Sequence, residues 1–447
     1  MTGRSGVSRV ALALVVALLA GVGLIGCGAA EPVGRVTVLG SWTGDEETTF
    51  RAVLARFEDE TGIRAEYQGH RDVSQVLQAG IERQRPPDVA ILPRLNDLQR
   101  YVNEDAVRQL DGVAGLIDDP AAGRQLIRLA ARTGSDDAPT RVYAVAIATH
   151  LKSVFWYDRA RAAAAGLRQP PRTWDELVDR ARTVRDGGGM PWCLGLSSPP
   201  VSGWPGTDWI EDILLHRSGQ RAYESWTRGE LAWSSPQVRD AWRTWGQLLS
   251  ATPSPEARRA GLFSTWAEAG AGLFDARGGC HLDHQASFAV REYRKPPRSA
   301  GDRVDFFPTP PIGSADTGGL QEVSDDIAAM LRDTGPARKL MAFLASESAQ
   351  QVWRRASGGL FFSRRGPADS YPDQVTGRVA ARLGTGTLCW DGSDLLPAPV
   401  ATAFERATLV YLHQPERLDE LLKELDGLAG TVSRTDWMDL RCHPAAE

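Results

Sequence analysis

Hydrophobic positions along this chain change period repeatedly, and each change marks an element. Residues 35–39 (R-V-T-V-L) form a short β-branched run, and Gly40-Ser41-Trp42-Thr43-Gly44 reads as a turn. Phe50, Val53, Leu54 and Phe57 then recur at i, i+3, i+4 and i+7, which predicts one apolar helix face, stopped by Gly62 at a C′ position. Residues 64–67 predict a second strand, 73–84 a second helix, and 88–92 (D-V-A-I-L) a third strand behind Pro86-Pro87. Strands alternating with helices point to a parallel α/β sheet.

Residues 143–147 give another apolar strand, followed by K-S-V-F-W-Y at 152–157. Thr173-Trp174-Asp175-Glu176 fits a capping box, in which the Thr hydroxyl meets the N3 amide while the Glu reaches back. That helix ends at Gly187-Gly188-Gly189. Ser235-Pro236 starts another, with Val238, Trp242 and Trp245 on one face. Trp204 and Trp209 flank what reads as a Pro-Gly turn. Residues 303–307 and 327–331 are strand-like, and 336–356 predicts one periodic helix.

Composition narrows the class. With 447 residues, 42% hydrophobic and 24% charged, the chain is too long for one core and too ordinary to be disordered, collagen-like or multi-spanning. A net charge of −5 without a basic stripe argues against nucleic acid as a partner. The first residues read as an export signal: Arg4 and Arg9, then an uncharged apolar run to Ile25 of about 16 residues, shorter than the roughly 20 a bilayer-spanning helix needs. Leu24-Ile25-Gly26-Cys27 resembles a lipobox, so residues 1–26 are expected to be removed, Cys27 to carry lipid, and 27–34 to form a tether. Losing Arg4 and Arg9 takes the net charge from −5 to −7. The mature chain is therefore expected outside the cytoplasm, lipid-anchored to the outer face of the cytoplasmic membrane.

An oxidising compartment changes how Cys193, Cys280, Cys389 and Cys442 are read. Four cysteines allow three pairings. Cys193–Cys280 with Cys389–Cys442 is favoured, because the second bond would pin the C-terminal tail. A zinc reading of Cys280-His281-Leu282-Asp283-His284 matches no standard ligand spacing, and no metal or cofactor is expected.

Enzyme signatures are mostly missing: the chain has no G-x-S-x-G elbow, phosphate loop or H-E-x-x-H helix. Carboxylate pairs such as Asp45 with Glu46 and Asp208 with Glu211 occur, but among 56 acidic residues chance supplies them, so they do not establish hydrolysis. The 14 tryptophans say more. Trp42 follows the first strand, where ligands of open α/β sheets bind, and Trp204 and Trp209 surround Asp208. An indole packs on the C–H face of a sugar ring while a carboxylate takes its hydroxyls. Helix-face Trp242 and Trp245 read as core.

Several segments resemble the extracellular solute-binding proteins of carbohydrate ABC transporters, in particular the alpha-glucoside-binding subgroup: V-T-V-L-G-S-W-T-G-D-E-E at 36–47, P-P-D-V-A at 86–90, K-S-V-F-W-Y at 152–157, P-R-T-W-D-E-L at 171–177, G-G-M-P-W-C-L-G at 188–195, G-W-P-G-T-D-W-I-E-D at 203–212 and C-H-L-D-H-Q-A-S-F at 280–288. The resemblance implies a bilobal type II periplasmic-binding-protein fold, two α/β lobes joined by a multi-crossing hinge around a ligand cleft. The expected division is 35–148 with 310–357, and 149–309 with 358–447. It further implies a monomeric, non-catalytic receptor that passes its sugar to a permease driven by an ATPase, both separate chains. Ligand contacts are expected from Trp42, Asp45, Glu46, Asp88, Trp204, Asp208, Trp209 and Asp325. Where the family has Gly-Gly-Asp near the second hinge crossing, this chain reads Glu322-Val323-Ser324-Asp325-Asp326. After Gly358-Gly359 it carries Arg364 and Arg365, which suit either solvent or an acidic ligand. The competing readings are a secreted glycosidase and a peptide- or amino-acid-binding lipoprotein.

Overall fold

The computed structural model describes residues 34–119, 122–130, 139–165, 169–275, 279–295, 301–313 and 317–445. The export signal, Cys27 and nearly all of the tether lie outside them. Twelve strands are described: β1 Gly34–Gly40, β2 Ile63–Gly69, β3 Val89–Leu92, β4 Leu126–Ala130, β5 Thr140–Leu151, β6 Val154–Asp158, β7 Met190–Trp192, β8 Cys280–His284, β9 Val304–Pro308, β10 Leu320–Met330, β11 Thr387–Trp390 and β12 His443–Pro444.

The expected parallel start is present. β1 pairs in parallel with β2 on one side and β3 on the other. The helix Asp45–Thr61 between β1 and β2 buries Phe50, Val53, Leu54 and Phe57, and Gly62 caps it at φ 69°, donating its amide to Glu58 O. These side chains join Val36, Val89, Ile147, Leu340 and Trp353 in the first lobe's core. The second lobe is built on a four-stranded sheet in the order β7-β8-β6-β9. Helices around it bury Trp192, Trp209, Trp226, Trp242 and Trp245 in one aromatic-rich core. Trp242 and Trp245 are indeed interior residues.

Two long strands join the lobes. β5 and β10 run antiparallel, with a register shift between Asp326 and Ile327. On the first-lobe side of the shift, residues 327–330 of β10 pair with β3. On the far side, residues 320–323 pair in parallel with β11, which in turn holds β12. A third stretch runs alongside, since the Thr149 amide donates to Phe362 O at 3.0 Å. The fold is a bilobal type II binding-protein architecture with a multi-crossing hinge.

Three local expectations change. The stretch 203–212 is not a turn: it begins the helix Trp204–Thr227, with Gly203 as N-cap at φ 106° and Pro205 in its first turn. Proline is tolerated there because a first-turn amide has no helical partner. A Cβ on Gly203 would collide with Glu405 O, and one on Gly206 would come within 2.8 Å of Thr408, so the glycines serve close packing on the helix Ala398–His413. The single helix expected over 336–356 is two, Gly335–Leu344 and Glu347–Ala356, because Ser346 caps the second by accepting from the Ala349 amide. At Thr173 the hydroxyl accepts from the Glu176 amide, but Glu176 accepts from the Arg172 amide, one residue beyond the box.

Cys193 pairs with Cys280 and Cys389 with Cys442, as favoured. The first bond lies in the second lobe's smaller core. The second ties the C-terminal segment to β11.

Candidate functional site: an aromatic cleft over a charged floor

A cavity of about 490 Å³ lies between the lobes. The loops after β1 and β3 open into it, supplying Trp42 and Arg94, as expected for the carboxyl ends of parallel strands. Trp42 forms one wall with Trp353 and Phe361. Its ring stands edge-on to Trp353 at 4.8 Å, and Trp353 stacks on Phe361 at 3.7 Å. Trp42 is only 7% exposed, so it offers the cavity an edge. Its main chain is fixed by Tyr67, whose hydroxyl accepts from the Trp42 amide and donates to the Trp42 carbonyl.

The opposite wall is a second aromatic group, Trp204, Trp266 and Phe288, with ring centroids 5.2–6.4 Å apart. All three are partly exposed. Trp204 is held by the start of its helix, with the Lys152 ammonium 5.6 Å from its ring centre. Trp266 and Phe288 were not expected at the site. Phe288 closes the quoted 280–288 segment, whereas Trp266 follows only a generic helix cap, Thr265.

The hinge strands form the floor. His150, Ser324 and Asp326 face the cavity, and His150 Nε2 lies 3.0 Å from Asp326 Oδ2. Asp325, the expected ligand residue, points the other way, because successive strand residues alternate faces. It is 1% exposed, accepts from Arg364 at 2.6 Å and pairs with the Thr149 hydroxyl. Arg364 also lies over the Trp390 ring at 4.3 Å and meets His443 at 2.8 Å, so this arginine is structural. Arg365 pairs with Asp119 and Glu347.

Beside the floor, Lys152 Nζ donates to Asp208 Oδ1 at 2.9 Å and to Asp391. Burial works against its charge, but Asp208 and Asp391 outweigh burial and keep the ammonium protonated. Burial pushes Asp208 up to about 6 against the pull of Lys152. Asp391 is lowered despite burial, because Lys152 sits on it. Asp208 therefore acts behind Lys152, and Asp391, Ser393 and Asp394 line the cavity in its place.

The other expected residues divide by position. Glu46 lines the cleft and receives Arg71 at 2.9 Å and Arg291 at 2.6 Å. Asp45 is exposed at the mouth, 3.8 Å from Lys295. Asp88 precedes β3 at the strand end away from the cleft, where it accepts from the Thr37 amide and hydroxyl, both at 2.8 Å, and meets Arg332. Trp209 is core, packed on Phe155, Trp192 and His284. Asp88, Trp209 and Asp325 thus stand away from the cavity, which takes Trp42, Glu46 and Trp204 from the expected set.

A cleft of ring faces and hydroxyl-seeking carboxylates between hinged lobes suits reversible capture of a solute. The model for bacterial extracellular solute-binding proteins matches residues 41–351. The chain belongs to this family. Relatives of this solute-binding protein include the alpha-glucosides-binding periplasmic protein AglE of Rhizobium meliloti, 29% identical and covering 82% of this chain and 80% of AglE. The osmoprotective compounds-binding protein GgtB of Synechocystis sp. is 31% identical, covering 82% and 86%. Among solved structures, the solute receptor AcbH superposes with a TM-score of 0.74 at 16% identity, over 89% of this chain and 99% of AcbH. A chitin oligosaccharide binding protein gives 0.69 at 19%, over 89% and 98%. No helix among the described residues of this solute-binding protein is long and apolar enough to cross a membrane.

Proposed function

We propose that this protein captures a neutral sugar of the alpha-glucoside class in the interlobe cleft and delivers it to a separate ABC permease. The observation that carries the reading is the partly exposed wall of Trp204, Trp266 and Phe288 facing Asp326, Asp391 and Asp394 across one cavity. Ring faces suit the apolar side of a pyranose, and carboxylates suit its hydroxyl rim. The names of AglE and GgtB support a glycoside or another osmoprotective compound as cargo. Ligand touching both lobes favours the closed form, and micromolar affinity corresponds to about −8 kcal/mol.

We assign 35–148 with 310–357 to one lobe and 149–309 with 358–447 to the other, with the 387–390 strand meeting the hinge strand at their border. Lipidation at Cys27 would hold the monomer at the outer face of the membrane. In this reading the sugar is bound without being hydrolysed, and Glu46, Asp326 and Asp391 serve as hydrogen-bonding groups held in place by Arg291, His150 and Lys152.

The test is a thermal-shift screen of maltose, trehalose, sucrose, chito-oligosaccharides, betaine and small peptides, because a ligand of the native state raises its stability by mass action. An alpha-linked disaccharide should raise Tm and be recovered intact. Stabilisation by peptides alone, or release of monosaccharide that stops in Asp326→Asn, would replace the proposal with one of the competing readings.

A further inference from the structure

Beneath the cleft floor, three acidic side chains from three elements converge. Glu211 comes from the helix Trp204–Thr227, Glu322 from the part of the hinge strand β10 that pairs with β11, and Asp391 from the residue after β11. One carboxylate oxygen of each lies within 4.8 Å of the other two. Glu211 and Glu322 are 0% exposed and Asp391 is 2% exposed. Three buried carboxylates share little compensation. The Lys152 ammonium reaches Asp391 but is divided with Asp208.

The hydrogen bonds are equally uneven. Asp391 Oδ1 accepts from the Ser393 hydroxyl at 2.8 Å and the Asp394 amide at 3.1 Å, and Glu211 Oε2 from the Ser393 amide at 3.0 Å. Glu211 Oε1 and both oxygens of Glu322 have no hydrogen-bond partner among the described residues. A buried carboxylate oxygen without a donor is costly, and native structures nearly always satisfy it with protein, water or an ion. A proton shared between Glu211 and Asp391 would relieve that pair and still leave Glu322 bare.

We infer that Glu211, Glu322 and Asp391 form a divalent-cation site of the calcium type, tying the second-lobe helix to the hinge strand under the ligand cleft. The donor set is all oxygen and anionic, which suits a hard cation. Calcium–oxygen bonds of about 2.3–2.6 Å allow ligand oxygens up to roughly 5 Å apart, whereas magnesium at about 2.0–2.1 Å demands a tighter octahedron. Occupancy would fix Asp391, which both lines the cleft and holds Lys152. The cation is thus a structural element of the floor, and the inference stands whether or not the cargo is a sugar.

The experiment uses the mature chain stripped with chelator, with Ca²⁺ itself as one probe and Tb³⁺ as the other. The Trp226 ring is placed to sensitise Tb³⁺: a Cβ on Gly392 would meet both that ring and, at 3.1 Å, Glu211 Oε2. Ca²⁺ should raise Tm by several degrees over KCl of matched ionic strength, with half-effect at about 10⁻⁴–10⁻³ M, as for extracellular calcium modules. Tb³⁺ luminescence excited through tryptophan should appear and be displaced by Ca²⁺. Both responses should vanish in Glu322→Gln, whose Tm in chelator should equal or exceed the parent's because a buried charge is gone. If that variant fails to fold, Glu211→Gln carries the same comparison. Absence of a Ca²⁺-specific shift and of sensitised Tb³⁺ emission overturns the site. So does a shift retained in the Gln variants, which places the cation elsewhere. A Tm that ignores Ca²⁺ and whose fall with rising pH is abolished in Glu322→Gln but kept in Asp283→Asn assigns the cluster to shared protons and also overturns it.

Discussion

Arg291 Nη2 donates to Glu46 Oε1 at 2.6 Å, joining a short second-lobe helix to the first helix of the first lobe across the cleft mouth. Ala289 and Val290 anchor the Arg291 side in the second lobe's interior, while Glu46 is also held by Arg71 of its own lobe. The pair is a latch that exists only when the lobes are together. Partly exposed ion pairs contribute about 0–1 kcal/mol, so Arg291→Met should weaken ligand binding by less than about tenfold. Salt screens such pairs. Titration calorimetry at low and high salt should show wild-type affinity falling with salt and the variant losing most of that dependence. An unchanged salt slope would remove the latch from closure.

Two tryptophans five residues apart should behave oppositely. Trp204 shows part of its ring to the cavity, so Trp204→Ala should weaken ligand binding by about 5- to 30-fold with a modest loss of stability, given roughly 1–2 kcal/mol for a well-placed ring contact. Trp209 is packed among Phe155, Trp192 and His284. Trp209→Ala should cost about 3–5 kcal/mol of folding free energy. Denaturation midpoints and affinities measured on both variants separate the roles. An affinity loss in Trp209→Ala at unchanged stability would reverse them.

Asp283 carries a pH signature. Burial pushes its carboxyl up to about 7, with only the Tyr293 hydroxyl, donating at 2.7 Å, pulling it back. Its folded pKa therefore exceeds the unfolded value near 3.9. The folded state binds the extra proton between these values, so this group's stabilisation is complete below about pH 4 and is lost as pH rises toward and through about 7. In Asp283→Asn that component of the stability profile should disappear. Matching slopes for wild type and variant in urea melts between pH 4 and 7 would refute the assignment.

The Cys389–Cys442 bond closes a segment with sequence separation 53 and places β12 beside β11. It also seats His443 against Arg364, which donates to Asp325 in the hinge strand. Cys442→Ser should lower stability by about 2–4 kcal/mol. It should also loosen the hinge: hydrogen exchange at residues 320–326 is expected to quicken relative to the helix Asp45–Thr61. Uniform exchange across both would confine the bond's effect to the unfolded chain.

Local signals were legible because each is written in neighbouring residues. The apolar stripe of Phe50, Val53, Leu54 and Phe57 with its glycine stop marks a helix whose hydrogen bonds close within a few residues, and the apolar runs at 35–39 and 88–92 mark strands by composition, although their ladder partners lie far along the chain. Ser346 is silent in the local pattern because its cap interrupts an apolar rhythm that continues on both sides. Gly203-Trp204-Pro205-Gly206 has the local composition of a turn, because glycine and proline usually mark one. Here they admit a helix start pressed against another helix some 200 residues later, a neighbour that local pattern does not show.

The sequence alone determined the class of molecule. Alternating strands and helices, an even set of four cysteines and the ordered family segments each survive any rearrangement of the lobes, since they depend on composition and short-range pattern. Only the tertiary structure decided which residues face the cleft. A pleat of two residues turned Asp326 inward and Asp325 away, strand direction put Asp88 at the far end of β3, and lobe packing brought Trp266 and Trp353 to opposite walls. Facing depends on distances between segments remote in the chain, and those are set by how two cores close on a shared hinge.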